Sequence, residues 1–288
     1  MASRVPDVVV IGHLTIDRTP RGEALGGSVL YAALTAARYG ARTAILTRAN
    51  LDLLPPDQHE ILAAISAEVE IIVQSSDATT TFTNVDVGGR RQQSLHAWAG
   101  EIDLTGLPPL WRGAGVIHLA PVAQEIDPRQ VNRLAPRILG CTPQGWMRAW
   151  DRTHFGRVRL ERLRVPADLV ARIDAIVVSY EEAVEARDTI EAVGRRGLAV
   201  VTRGDQGGLV IDRERRTDAP FYPAHALDTV GAGDVFAAGL FAARGGGESV
   251  AASLRYAAAA ASLKVAGEGV MSVPDHDAVM ALIERYRN

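Results

Sequence analysis

Apolar residues along this chain fall into two kinds of cluster: short solid runs, and longer runs with helical spacing. Val8–Gly12, Thr43–Thr47, Val69–Val73, Val116–Leu119, Ile138–Cys141, Ala175–Val178 and Leu198–Thr202 are short and bounded by polar residues, as strands buried on both faces are. Ser28–Tyr39 carries Val29, Leu30, Ala33, Leu34 and Ala37 on one helical face and is stopped by Gly40. Asp57, with Glu60 three residues on, reads as a capping box for a helix through Ile65. Further helices are predicted from Gly231, over Glu248–Val265 and from Pro274. Most of the strands are separated by helical stretches, which predicts a mostly parallel sheet covered on both faces. Gly207–Asp212 and Arg216–Tyr222 predict an antiparallel hairpin at one edge.

One region breaks the alternation. Thr79–Asp86 and Arg90–Ala97, joined by Val87-Gly88-Gly89, predict a hairpin rich in β-formers. No repeat or disordered linker divides the chain, so residues 1–288 read as a single domain with the 79–97 hairpin inserted.

Composition narrows the chemistry by exclusion. A hydrophobic content of 47% with 23% charged residues describes an ordinary globular protein. The net charge of -3 argues against nucleic acid or an anionic membrane as partner. No apolar run approaches the ~20 residues of a membrane helix, and Met1–Asp7 lacks the apolar stretch of a signal peptide. Cys141 is the single cysteine, so no internal disulfide can form and a reducing cytoplasm fits. Lys264 is the only lysine, which rules out a G-K-[ST] phosphate loop and leaves one candidate for a Schiff base. There is no C-x-x-C, no G-x-G-x-x-G after a strand, and no second histidine four residues after His59. Hydride transfer therefore has no dinucleotide fingerprint to support it.

The most specific local signal is Asp228-Thr229-Val230-Gly231-Ala232-Gly233-Asp234, which runs directly into the apolar helix Val235-Phe236-Ala237-Ala238-Gly239-Leu240. The first turn of a helix has unpaired N–H groups and the positive end of the dipole. Gly231, Ala232 and Gly233 let an anion approach those donors, and Asp234 puts a carboxylate beside them. An anion cradle with an adjacent base suits phosphoryl transfer to a hydroxyl. A glycine-rich turn that merely starts a helix is the plainer account, and a lone GxG would favour it.

That run resembles the C-terminal signature of the PfkB/ribokinase family of small-molecule kinases. Gly12-His13-Leu14-Thr15-Ile16-Asp17 is similar to the family's opening strand with its substrate aspartate, and Gly26-Gly27 to its di-glycine motif. Ser179-Tyr180-Glu181-Glu182 stands where the family has N-x-x-E, with serine replacing asparagine. Thr202-Arg203-Gly204-Asp205-Gln206-Gly207-Gly208 resembles its T-x-G-x-x-G turn. Cys141-Thr142-Pro143-Gln144-Gly145-Trp146-Met147-Arg148 resembles a D-x-Q-G-x-x-R segment of short-lid members, myo-inositol kinases among them, with Thr142 replacing the aspartate.

The resemblance implies a ribokinase-like three-layer α/β/α sandwich, with the 79–97 hairpin as a lid. The lid should be reduced, because only eight residues separate Asp17 from Gly26. It implies ATP and Mg²⁺ as cofactors, with a monovalent cation left open, and a polyol, sugar or nucleoside as acceptor. Asp234 would be the base within the Gly231, Ala232 and Gly233 cradle. Asp17, Gly26, Gly27, Gln144 and Arg148 would bind the acceptor. Ser179, Thr202, Arg203, Gly204, Gly207 and Asp228 would serve the nucleotide side, and Glu182 would reach the metal through water. Asp228 would orient the loop or a nearby cation, and simple turn chemistry is its plainer reading. The expected activity is transfer of the γ-phosphoryl group to a polyol or sugar, a myo-inositol-like ring first. A nucleoside kinase is the alternative within the family, and a ligand sensor without turnover the alternative outside it. Monomer and homodimer are both compatible.

Overall fold

The computed structural model describes residues 5–20, 22–87 and 90–287, so the predicted Gly88-Gly89 connector lies outside the described residues. In chain order the strands are β1 (Val8–Ile11), β2 (Thr15–Thr19), β3 (Gly22–Gly26), β4 (Thr43–Ala49), β5 (Glu70–Ser75), β6 (Thr80–Val87), β7 (Arg90–Ala97) and β8 (Val116–Leu119). They continue as β9 (Ile138–Cys141), β10 (Arg148–Asp151), β11 (Phe155–Leu160), β12 (Ala175–Ser179), β13 (Leu198–Thr202), β14 (Gly208–Asp212) and β15 (Arg215–Ala219). The α-helices are α1 (Ser28–Tyr39), α2 (Pro56–Glu68), α3 (Gln144–Met147), α4 (Ala167–Val170), α5 (Arg187–Gly194), α6 (Ala232–Gly245), α7 (Val250–Lys264) and α8 (His276–Arg285).

Nine strands form one sheet in the order β15-β14-β13-β12-β9-β8-β1-β4-β5. Pairing is parallel from β13 across to β5, and β14 and β15 add the expected antiparallel edge. The period of two along each strand divides the core. Val8 and Val10 pack with α1, α6 and α7, while Val9 and Ile11 join Trp111, Leu169 and Ile190 on the other face. The three layers are those expected.

The orientation of α6 decides where chemistry can occur. A Cβ on Gly245, its last residue, would lie 2.5 Å from Val116 at the start of β8. One on Gly140, late in β9, would lie 2.5 Å from Phe241. Helix α6 therefore runs against the strands, and its N-terminus faces their carboxyl edge, where open α/β sheets bind ligands.

Four expectations need correction. The lid hairpin is two strands of a six-stranded second sheet, ordered β10-β11-β7-β6-β2-β3. The stretch from Asp17 to Gly26, expected to leave no room for lid strands, supplies most of the β2–β3 hairpin, with Thr15 opposite Gly26 and Thr19 opposite Gly22. The Asp57 capping box is absent: α2 begins at Pro56, and the Asp57 carboxylate instead accepts from Gln58 Nε2 at 2.6 Å. Between β8 and β9 the described crossover contains a 3₁₀ turn, Pro128–Arg133, rather than an α-helix. Pro121, Pro128 and Pro136 deny that stretch the continuous amide ladder a helix needs.

Candidate active site

Gly231 is the hinge of the site. It adopts φ 79° at the N-cap of α6, and a Cβ there would collide with the Tyr31 ring of α1. Gly233 differs: its φ is not positive, it is exposed, and a Cβ would meet nothing within 4 Å. The space over Gly233 is thus open for an anion, whereas the bare Cα of Gly231 serves packing. Asp234 follows in the first helical turn, half-buried.

The turn before α6 is held by Asp228. Its Oδ1 accepts from the Val230 amide at 2.9 Å, and its Oδ2 accepts from the Gly269 amide and from Lys264 Nζ, each at 3.0 Å. Burial pulls this carboxyl upward, but the Val230 and Gly269 amides and the Lys264 ammonium outweigh it and leave the group below the usual carboxylate range. Asp228 is thus tied into its own loop through Val230, Lys264 and Gly269. Lys264 is fully buried and also donates to the Asp228 carbonyl at 3.0 Å. In the sequence Lys264 stands out as the solitary lysine and the one Schiff-base candidate. Its spacing from Ala257 and Ala260, both buried, places it on the inner face of α7 and was the available signal.

A second cluster lies at the start of α1. Asp17 sits inside β2, opposite Ala24 and Phe82. The sites of both glycines are filled by the protein itself. A Cβ on Gly26 would strike the Asp17 carboxylate, and one on Gly27 (φ 101°) would strike the His13 carbonyl. These glycines make room for the Asp17 hairpin. Gln144 Nε2 donates to Ser28 Oγ at 2.7 Å, and Gln144 Oε1 accepts from Arg148 Nη2 at 2.7 Å. Arg148 also donates to the Val122 carbonyl at 2.8 Å and lies 5.5 Å from the centroid of the Phe82 ring. Ser28 and Phe82 were not singled out from sequence; neither belongs to a polar motif. His13, between β1 and β2, is buried with Nδ1 2.8 Å from Thr80 Oγ1 at the start of β6.

The two clusters adjoin through α1: Ser28 meets Gln144, and Tyr31, three residues on, meets Gly231. The third predicted group lies at the ends of β12 and β13, where Ser179 pairs with Thr202. Thr202 Oγ1 donates to the Val178 carbonyl at 3.3 Å, and Arg203 stacks 5.0 Å from the Tyr180 ring centroid. Gly204 (φ 58°) is exposed with open space around it, whereas a Cβ on Gly207 (φ 75°) would lie 2.7 Å from the Ala219 carbonyl. Gly207 is therefore a tight-turn residue and Gly204 is free to face a ligand. Ser179 and Glu182 form a reciprocal cap: Glu182 Oε2 accepts from the Ser179 amide at 2.9 Å, and Ser179 Oγ accepts from the Glu182 amide at 3.3 Å. Ala257, Ala258, Ala259 and Ala260 are buried, and a Cβ on Gly239 would lie 3.3 Å from Ala257 Cα, so α7 packs closely on α6 there.

Among the described residues no group of three or more His, Cys, Asp or Glu side chains can hold a metal. Glu182 Oε2 is engaged by the Ser179 cap, and a metal that keeps several of its waters, as Mg²⁺ does, could be met from Glu182 through water. No helix among the described residues is long and apolar enough to cross a membrane. The Cys141 thiol is buried and pushed well upward by desolvation, so it is not a nucleophile.

Comparison with known proteins agrees with this geometry. Residues 167–277 match the model of the pfkB family carbohydrate kinases. The chain is 29% identical to a 1-phosphofructokinase of Haloferax volcanii over 213 residues, 69% of each chain. It is 26% identical to a nucleoside kinase of Methanothermobacter thermautotrophicus over 265 residues, covering 87% of this chain and 81% of the relative. A pyrophosphate-dependent kinase in the ribokinase family, complexed with a pyrophosphate analog and myo-inositol, superposes with a TM-score of 0.76 at 17% identity, over 96% of this chain and 99% of that one. Arabidopsis thaliana ribokinase, complexed with ribose and ATP, superposes with a TM-score of 0.71 at 21% identity, over 98% and 99%. The chain has the fold of the ribokinase-family kinases, and over residues 167–277 it is similar to the pfkB family carbohydrate kinases.

Proposed function

We propose that the protein transfers the γ-phosphoryl group of ATP, with Mg²⁺, to a hydroxyl of a compact polyol or sugar, a myo-inositol-like ring being the first choice. The observation that carries this reading is the junction at α1, where the Asp17–Gln144–Arg148 cluster adjoins the open amide turn at Gly233 and Asp234.

In this reading the phosphates rest on the first-turn amides of α6, whose dipole supplies about half a positive charge. Thr202, Arg203 and Gly204 flank the nucleotide side. Bound Mg²⁺ would neutralise phosphate charge, with Glu182 oriented toward it through water by the Ser179 cap. Asp17 accepts acceptor hydroxyls, since one carboxylate takes two O–H bonds. Gln144 and Arg148 brace each other and fix the cluster. Asp234 takes the proton of the attacking hydroxyl as the phosphoryl group arrives. A loose transition state asks little early proton removal, so its placement matters more than its basicity.

The aromatic nearest the acceptor cluster, Phe82, is 2% exposed and faced by Arg148, so it offers no surface for a nucleobase. That favours a hydroxyl-rich ring over a nucleoside, the substrate class named for the Methanothermobacter relative. The single buried Cys141 supports a reducing, cytoplasmic setting. A coupled assay of ADP release across cyclitols, hexoses and nucleosides tests the assignment, with orthophosphate release from pyrophosphate as donor measured in parallel. A cyclitol or compact sugar should give the highest kcat/KM. Adenosine, guanosine or cytidine as the best acceptor would overturn the acceptor class and leave the kinase in place.

A further inference from the structure

We propose that the Lys264 ammonium is a built-in cation of the phosphate-binding turn, which makes donor binding independent of monovalent metal ions. This inference rests on the kinase reading of the α6 N-terminus. The side chain is fully buried, and it is the only lysine in the chain. A buried ammonium is retained only where its partners are arranged around it. Here the partners belong to one residue: Nζ lies 3.0 Å from the Asp228 carbonyl and 3.0 Å from Asp228 Oδ2. A carbonyl paired with a carboxylate oxygen is the hard-oxygen set a small monovalent cation would otherwise take.

The connection from that point to the phosphate turn is short. Asp228 Oδ1 accepts from the Val230 amide, which shapes the turn that delivers Gly231 at φ 79°. Nζ also lies 5.6 Å from the centroid of the Tyr31 ring, the ring against which Gly231 rests. The end of α7 is stapled to the same turn, because the Leu227 and Asp228 amides donate to the Val265 carbonyl at 2.7 and 3.2 Å. The Gly269 amide closes the ring on Asp228 Oδ2. Lys264 thus neutralises Asp228 and sets the curvature of the turn that presents the α6 amides. It is a positioning residue, since it touches the loop and not the reacting groups.

The test uses the full chain in chloride salts of potassium, sodium, ammonium and tetramethylammonium at constant ionic strength. Calorimetry with ATP and with pyrophosphate should give wild-type affinities that agree within about threefold across the salts. A wild type whose affinity or turnover rises more than about threefold with potassium would overturn the proposal. Lys264→Ala leaves a space for a small cation. It should lose roughly tenfold or more in pyrophosphate affinity in tetramethylammonium, and recover most of that loss in ammonium or potassium. Its thermal unfolding temperature, read without any ligand, should rise selectively with the same two ions. A folded Lys264→Ala that binds pyrophosphate like wild type in tetramethylammonium would overturn the proposal, as would a loss that no small cation repairs. Should the variant fail to fold, the wild-type salt series alone decides. Failure of every acceptor to turn over would count against the kinase reading, while the unfolding and binding arms still report on Lys264.

Discussion

In the proposed site, the donor and acceptor ends are built on different principles. At the donor end the working groups are backbone amides, and side chains only shape the loop: Asp228 and Lys264 bond to each other and to the turn, and Gly231 rests on Tyr31. At the acceptor end the working groups are side chains, each braced by another, in the series Ser28–Gln144–Arg148 with Asp17 fitted over Gly26. A backbone cradle recognises a group every nucleoside triphosphate shares. A braced set of side chains recognises a particular pattern of hydroxyls, and rejects molecules that leave its own groups unpaired. The donor end should therefore tolerate side-chain changes that leave the turn intact, whereas the acceptor end should respond to the loss of one amide.

The largest effect is expected where the two ends meet. Asp234→Asn is isosteric and leaves the α6 amides in place, so ATP affinity should hold while kcat falls about 10²- to 10⁴-fold. Steady-state kinetics at saturating substrates check this; turnover close to wild type would remove Asp234 from the role of base.

A smaller, one-sided effect is expected from Gln144→Leu. It removes both the Ser28 bond and the brace on Arg148, and the acceptor KM should rise about ten- to hundredfold. The KM for ATP should stay within about twofold. Equal loss for both substrates would mean the two ends are not separable.

The smallest effect concerns acid stability. The folded-state pKa of Asp228 lies below the ordinary carboxylate value of 3.8. Its bonds therefore contribute stability that is present above that value and lost as pH falls through the lower, folded one. Unfolding temperatures measured from about pH 5 downward should fall more steeply for wild type than for Asp228→Asn. Parallel slopes would show that this carboxylate does not carry the acid response of the turn.

The same contrast explains what sequence alone could convey. The donor end is contiguous: residues 228–234 state the turn, the cradle and the carboxylate in one run, and the opening of α6 at Ala232 follows from it. The apolar runs gave seven strands of the main sheet, because strands buried on both faces are solidly apolar. The second sheet was legible only in its 80–97 hairpin. Strand β2, Thr-Ile-Asp-Arg-Thr, is half exposed, and β10 is a four-residue Arg-Ala-Trp-Asp, so neither carries a clean alternation. The acceptor end is assembled from positions 17, 28, 82, 144 and 148, which only the fold brings together. Gly26 and Gly27 look alike in sequence whether a ligand or a neighbouring strand fills the space above them.

Crossed calorimetry on two variants tests the division most directly. Gly233→Val places a branched side chain in space that nothing in the protein occupies, so it should abolish measurable ATP binding and leave binding of the best acceptor within about threefold of wild type. Asp17→Ala should do the reverse, abolishing acceptor binding and sparing ATP. Two such opposite losses are the predicted result; a variant that weakens both ligands equally, or Gly233→Val binding ATP normally, would contradict the account.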